Sequence, residues 1–301
     1  MKATRLHAYG DVDQFKYEDA PDPVAGAGEV LVKLEASGIN PVDLYVRMGY
    51  LAQRVPLELP AILGLDGAGT IAAVGADASG YKVGDRVMVK RPIGSKGAHA
   101  EFVAVPVGGV AKLQDNVSFV AAATLPLVGL TGRQGIDVLG VKPGERVLVT
   151  GALGAVGRAA VQYLKELGAA PVAGVRAERL AEGKALTGEA IAIGEGPAKS
   201  FAKALDTAGG AVAVAAAAMV RDGGTLSTVA SVPEGTNADK RITITPVLAV
   251  DRAAMLQQVA DAAGRGELSI PVAHTLKLSQ LGEGHKLQAA GRTGGKIILV
   301  P

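Results

Sequence analysis

Arg146-Val147-Leu148-Val149-Thr150-Gly151-Ala152-Leu153-Gly154-Ala155-Val156-Gly157 is the stretch on which the reading of this chain turns. Its first five residues are a short, β-branched apolar run of strand type. Glycines then stand at 151, 154 and 157, and Val156, Ala160, Tyr163, Leu164 and Leu167 follow at helical spacing until Gly168 stops the helix. Pro171 to Val175 supply a second strand. Strand, glycine loop, helix and strand in this order make a βαβ unit whose loop takes a dinucleotide. Glycine allows positive φ and close approach of the backbone to a pyrophosphate, while the free N–H groups and positive dipole end of the helix face the anion. Gly151, Ala152, Gly154, Ala155, Val156 and Gly157 are therefore candidate cofactor contacts. By itself such a loop is also a plain strand-to-helix turn; the ordered elements around it favour the dinucleotide.

Outward from the loop, the second strand ends on Arg176, 19 positions after Gly157, and Arg179 follows one helical turn later. An NAD site usually carries Asp or Glu about 20 residues beyond the loop, to bind the ribose hydroxyls. Arginine offers forked donors to a 2′-phosphate, so NADPH is favoured over NADH. The alternative is two solvated arginines at a helix start, where the helix dipole would prefer acids. Further on, Glu178 to Leu186 read as a helix, Ala190 to Ile193 as a third strand, Ala211 to Val220 as a helix and Thr225 to Ala230 as a strand. Arg252 to Ala263 read as another helix, and Gly295 to Val300 as a strand returning to the first domain. Upstream, Phe119 to Leu125 and Gly129 to Leu139 are helical. Before them, β-rich pieces at Glu29–Lys33, Gly69–Val74, Arg86–Val89 and Glu101–Val105 are punctuated by Gly, Pro and Asp, the texture of an antiparallel barrel. The expected fold is α/β, with a barrel domain over 1–118 plus a C-terminal return at 266–301, and a doubly wound parallel-sheet domain over 119–265.

Composition narrows the chemistry. The chain has 301 residues, enough for roughly two domains. With 49% hydrophobic but only 3% aromatic residues, its core must be aliphatic. It has no cysteine, which excludes disulfides, thiolate nucleophiles and sulfur-held zinc. A net charge of +2 without a basic run gives no reason to expect nucleic acid or an anionic membrane as partner. No apolar run approaches the ~20 residues of a membrane span. Met1-Lys2-Ala3-Thr4-Arg5 leads into strand-like sequence without a signal-type apolar region, so a cytoplasmic location is expected.

Ala36-Ser37-Gly38-Ile39-Asn40-Pro41-Val42-Asp43-Leu44-Tyr45-Val46-Arg47-Met48-Gly49-Tyr50 resembles the signature of medium-chain quinone oxidoreductases of the zeta-crystallin type. Pro60 to Gly69, Val83 to Val87, the glycine loop and Gly294 to Leu299 match family landmarks in order, so the resemblance spans essentially the whole chain. It implies a GroES-like catalytic domain interrupted by a Rossmann domain, with the cofactor in the cleft between them. Zinc-dependent alcohol dehydrogenase relatives hold their catalytic metal with cysteine where Asn40 stands and with a His-Glu pair where Leu65-Asp66 stand, so no metal is expected here. The four histidines, His7, His99, His274 and His285, are scattered and read as surface or packing residues. Hydride delivery to a quinone or an activated C=C is the chemistry that remains.

By the same resemblance Asn40 would approach the nicotinamide or the acceptor oxygen, and Thr131 stands near the nicotinamide. Tyr45 would border the acceptor pocket with its hydroxyl as donor, or would simply pack. Asp43 and Arg47 flank Tyr45 as neighbours on one helical turn, or form a structural ion pair, and Asp66 fixes backbone near the cleft rather than doing acid–base work. Arg133, Ala155 and Ile193 depart from common family residues; a methyl group at Ala155 is tolerable if that residue keeps helical φ. Arg241 to Val247 resembles the strand through which relatives extend their sheet across a two-fold axis, implying a homodimer. An NADPH-dependent enoyl or alkenal double-bond reductase is the alternative enzyme. A non-catalytic, crystallin-like NADPH-binding protein is the alternative of another class.

Overall fold

The computed structural model describes residues 1–291 and 293–301. The chain divides into two compact units, Met1–Leu127 with Asp251–Pro301, and Val128–Val250. In the first, β1 (Lys2–Leu6), β2 (Phe15–Asp19), β3 (Glu29–Ile39), α1 (Pro41–Arg47), β4 (Ala61–Ile62), β5 (Asp66–Val74), β6 (Arg86–Lys90), β7 (Phe102–Pro106), β8 (Val110–Lys112) and α2 (Phe119–Ala122) follow in order. β1 lies between β2 and β4, antiparallel to both. β3 is the hub of a larger antiparallel array: it pairs with β5 and β7, β5 continues to β6, and β6 to β8. Val30, Val32 and Leu34 alternate along β3 to face one side, where Ile71, Val87, Val89, Val103 and Val105 close an aliphatic core.

The second unit opens within α3 (Pro126–Asp137). It continues through β9 (Arg146–Thr150), α4 (Ala155–Glu166), β10 (Ala170–Val175), α5 (Leu180–Thr187), β11 (Ala190–Ala192), β12 (Phe201–Asp206), α6 (Gly210–Met219), β13 (Val220–Thr228) and β14 (Thr243–Pro246). Its strands form one parallel sheet ordered β11-β10-β9-β12-β13-β14. The doubly wound topology expected from the glycine loop is present. Val147 and Val149 pack with Val161, Leu164 and Leu205 on one side, and Leu148 with Phe201, Ala216 and Leu226 on the other. Strands covered on both faces are continuously apolar for this reason. β12, which sits centrally against β9, was not anticipated from sequence, and β13 begins five residues before the strand expected from Thr225.

The chain then returns to the first unit through α7 (Ala253–Gly264), β15 (Val272–Lys277), α8 (Leu281–Ala290) and β16 (Lys296–Val300). β16 runs parallel to β15 and antiparallel to β3, with Ile297 opposite Ile39. The division falls at 127/128 and 250/251, where the sequence reading had 118/119 and 265/266. Side chains explain the shift of α7: the Gln257 amide accepts from Lys112 N–H at 2.9 Å and donates to Lys112 O at 3.1 Å, and Asn116 donates to Gly264 O at 2.8 Å.

Candidate functional site

In the second unit the glycine loop joins β9 to α4 in a tight turn. Gly151 has φ 67°, and a Cβ there would lie 2.4 Å from Thr207 Oγ1. A Cβ on Gly157 would lie 2.2 Å from Gly151 O, so glycine is required where helix and strand meet. Gly154 is the extended N-cap of α4 (φ −77°, ψ 167°) and offers no capping side chain, which leaves the first N–H groups of the helix available to an anion. Ala155 is the first residue of α4, so its methyl group is accommodated in helical backbone.

The loop is pinned by Asp206, which sequence reasoning missed because it ends the unrecognised β12. Asp206 is fully buried and accepts from Thr150 Oγ1 at 2.6 Å, Thr228 Oγ1 at 3.1 Å, Gly209 N at 2.9 Å and Ala208 N at 3.2 Å. Four donors satisfy the carboxylate that burial would otherwise penalise. Thr207 Oγ1 donates to Thr150 O at 2.8 Å, tying the ends of β12 and β9 together beneath the turn.

Arg176 immediately follows β10, and its Nε lies 3.2 Å from Glu178 Oε1, with both side chains largely exposed. Arg179 donates Nε to Glu182 Oε1 at 2.8 Å and Nη2 to Glu182 Oε2 at 2.5 Å. Both arginines stand at the edge of the unit where the second strand ends, each with a carboxylate partner. Thr131, nearly buried, is on α3 in this same unit. Arg133, one of the departures noted from the family, stacks over the Tyr163 ring at 5.6 Å and pairs with Asp137 at 3.0 Å, joining α3 to α4.

The first unit gathers the remaining candidates into a buried polar cluster. The register of β16 on β3 sets Lys296 beside Asn40. Lys296 Nζ donates to Ile39 O at 2.9 Å and Asn40 Oδ1 at 2.6 Å, and stands 3.4 Å from Asp66 Oδ2. Asn40 Nδ2 donates to Asp66 Oδ2 at 2.9 Å, and Asp66 Oδ1 accepts from Leu127 N at 2.9 Å. Lys296, Asp66 and Asn40 are 3%, 0% and 1% exposed, so the network is closed to water. Asp66 thus fixes backbone, as the sequence reading expected, and Asn40 is committed to the cluster at both ends of its amide. Burial lowers the proton affinity of Lys296, while the charges of Asp66 and Asp43 raise it.

Asp43 lies next to this cluster, accepting from Asn40 N–H at 2.8 Å; burial pushes its carboxyl up to about 7 against the opposing effect of that hydrogen bond and of Lys296. It does not pair with Arg47, whose Nη1 lies 3.3 Å from Asp11 Oδ1. The alternative of an Asp43–Arg47 ion pair is therefore ruled out: the short helix points Asp43 inward to its own N-terminus and Arg47 toward the loop before β2. Tyr45, on α1, is 51% exposed, and its ring stacks on Tyr50 with centroids 6.4 Å apart and planes at 29°. Its hydroxyl makes no hydrogen bond among the described residues, so it is a free donor at the surface.

His99 and His285 are wholly buried, the first with Nδ1 3.2 Å from Ser37 Oγ and the second edge-on to Phe15. Burial pushes both imidazoles down to about 3. Among the described residues no three His, Asp or Glu side chains converge on a point where a metal ion could sit, and no helix is long and apolar enough to cross a membrane.

Comparison with known proteins places both halves. Residues 26–115 match the alcohol dehydrogenase GroES-like domain, and residues 167–299 match the zinc-binding dehydrogenase family. A quinone oxidoreductase of Pongo abelii is 38% identical over 170 residues, 56% of this chain and 50% of that protein, so the chain spans about half the length of this curated relative. The solved quinone oxidoreductase of Coxiella burnetii superposes with a TM-score of 0.90 at 26% identity, covering 100% of this chain and 99% of that one. A solved structure described as an NAD-dependent alcohol dehydrogenase superposes with a TM-score of 0.89 at 28% identity and covers 100% of both chains.

Proposed function

We propose a function from one premise: the chain belongs to the medium-chain dehydrogenase/reductase superfamily, within its quinone oxidoreductase family. It reduces a quinone or a similarly electrophilic small molecule with NADPH and without zinc. The observation that carries the cofactor choice is the pair Arg176 and Arg179 after β10, where an NAD site would hold an acid. The cradle fits a dinucleotide: glycines that admit no Cβ, an uncapped helix N-terminus, and a rigid Asp206 support. When bound, NADPH supplies a hydride from its nicotinamide ring.

The chain's own residues hold and orient. The backbone of Gly151 to Gly157, with Ala152, Gly154, Ala155 and Val156, binds the pyrophosphate. Arg176 and Arg179 turn from Glu178 and Glu182 to the 2′-phosphate. Thr131 and Asn40 border the nicotinamide, Asn40 held in one orientation by Lys296 and Asp66. Tyr45 donates its hydroxyl to the acceptor oxygen as negative charge grows there. The outer strand β14 leaves one edge of the parallel sheet open, the place for a second copy of the chain in a homodimer; a monomer mass by light scattering at micromolar concentration rejects that part.

The test is titration of wild type and an Arg176→Ala/Arg179→Ala variant with NADPH and NADH at two ionic strengths. Each charged contact contributes roughly a factor of ten, less where solvent screens it. NADPH binding should weaken strongly and lose salt dependence, while NADH binding stays nearly constant. Equal weakening of both cofactors, or a wild type that prefers NADH, rejects NADPH as the cofactor.

A further inference from the structure

The corner that takes the 2′-phosphate on the proposed reading contains a third arginine. Arg158 is the fourth residue of α4, directly after the last glycine of the loop. Its Nε donates to Leu153 O at 3.1 Å, which folds the side chain back along the loop and leaves it half-buried. β9 and β10 are parallel neighbours with Thr150 opposite Gly174, so the loop that leads to Arg158 and the segment that follows β10 leave the same end of the sheet, and burial together with the Arg179 charge lowers the proton affinity of Arg158.

The partners in this corner are unevenly shared. Both oxygens of Glu182 are taken by Arg179, and Glu178 is taken by Arg176. Among the described residues no carboxylate lies within ion-pair distance of Arg158. Three guanidiniums thus share two carboxylates, and the unshared one lies next to the glycine loop and the positive end of α4. Two neighbouring guanidiniums repel unless an anion stands between them. Arg176 and Arg179 must give up a carboxylate to bind phosphate, whereas Arg158 has none to give up.

We infer that Arg158 is the pre-set ligand of the cofactor's 2′-phosphate, with Arg179 joining it by exchanging Glu182 for a phosphate oxygen. The inference rests on the proposed reading that NADPH is the cofactor. It makes Glu182 a built-in competitor: the carboxylate keeps Arg179 neutralised until a phosphorylated ribose arrives, and its removal frees Arg179 in advance.

Calorimetric titration of wild type, Arg158→Gln, Arg158→Lys and Glu182→Gln with NADPH, NADH, 2′,5′-ADP and 5′-AMP tests this. Arg158→Gln should weaken NADPH and 2′,5′-ADP by about tenfold or more and change NADH and 5′-AMP by less than about twofold. Arg158→Lys should recover part of the loss, and Glu182→Gln should tighten NADPH and 2′,5′-ADP. Equal losses for all four ligands would show that Arg158 serves the pyrophosphate or the loop and overturn the inference. So would an unaltered NADPH preference in Arg158→Gln, which leaves the NADPH reading standing on Arg176 and Arg179. A wild type that binds 5′-AMP as tightly as 2′,5′-ADP removes the reading itself and the inference with it.

Discussion

Two charged clusters, one in each unit, are built in opposite ways. In the first, Lys296, Asp66 and Asn40 are buried and hydrogen-bond one another, with Ile39 O and Leu127 N completing the network. In the second, Arg176, Arg179, Glu178 and Glu182 form exposed pairs that water can replace and salt can screen. A closed network specifies geometry, because removing one member strands the others in a medium that cannot solvate them. An open network specifies little about the fold and can trade partners when a ligand arrives. Rigidity belongs to the cluster around Asn40, and exchangeable charge to the arginines that follow β10.

The contrast is broken most strongly at Lys296. Lys296→Met leaves Asp66 buried without its counter-charge and should cost about 3–5 kcal/mol of stability, read from the urea midpoint. Arg179→Ala, by comparison, should move stability by no more than about 0.5 kcal/mol. If both variants unfold at the same urea concentration, the cluster is not the closed network described.

A second way to probe the first unit is acid. His99 and His285 sit at about 3 in the folded chain against an ordinary 6.5, so unfolding takes up protons and stability falls as pH drops below 6.5. Asp43 runs the other way: lifted from 3.8 to about 7, it contributes stability that is full below 3.8 and lost as pH rises through 7. Between about pH 4 and 5.5 two histidines oppose one carboxylate, which leaves a net slope of about 1.4 kcal/mol per pH unit that flattens as pH approaches 6.5. Stability at pH 5 should therefore lie about 1.5 kcal/mol below that at pH 6.5. A flat profile between these two values would mean that the imidazoles are not held neutral by burial.

The smallest effect is expected at the exposed edge of the same unit. Tyr45→Phe should leave NADPH affinity unchanged and slow quinone turnover by about fivefold, the worth of one half-solvated hydrogen bond of about 1 kcal/mol. Unaltered turnover reduces Tyr45 to a ring stacked on Tyr50.

How far the sequence foretold this molecule depends on the span of the signal. The βαβ order around Gly151 to Gly157 was legible because strand, glycines and helix are contiguous and each element has its own period. The central strand Phe201-Ala202-Lys203-Ala204-Leu205-Asp206 was not, because alanine-rich sequence with one lysine carries no strand period. Only the fold reveals that Lys203 reaches out to Glu145 at 2.6 Å while Ala204 and Leu205 are buried. Asp206, and with it the support of the loop, was lost along with that strand. The glycines and arginines of the proposed cofactor corner could be named from spacing, but the carboxylates that occupy Arg176 and Arg179 depend on side-chain direction. Lys296 escaped notice as a partner of Asn40 because 256 residues separate them and only the pairing of β16 with β3 brings them together.

That last separation has a consequence in time. Asp66 is synthesised 230 residues before Lys296. At about 5–20 residues per second of translation, the carboxylate waits on the order of 10–50 s for the ammonium that balances it. Throughout that interval the nascent chain holds an acid in want of a base, and the hub strand β3 lacks the neighbour supplied by β16. The cluster around Asn40 is therefore closed only by a strand that is made 256 residues after it.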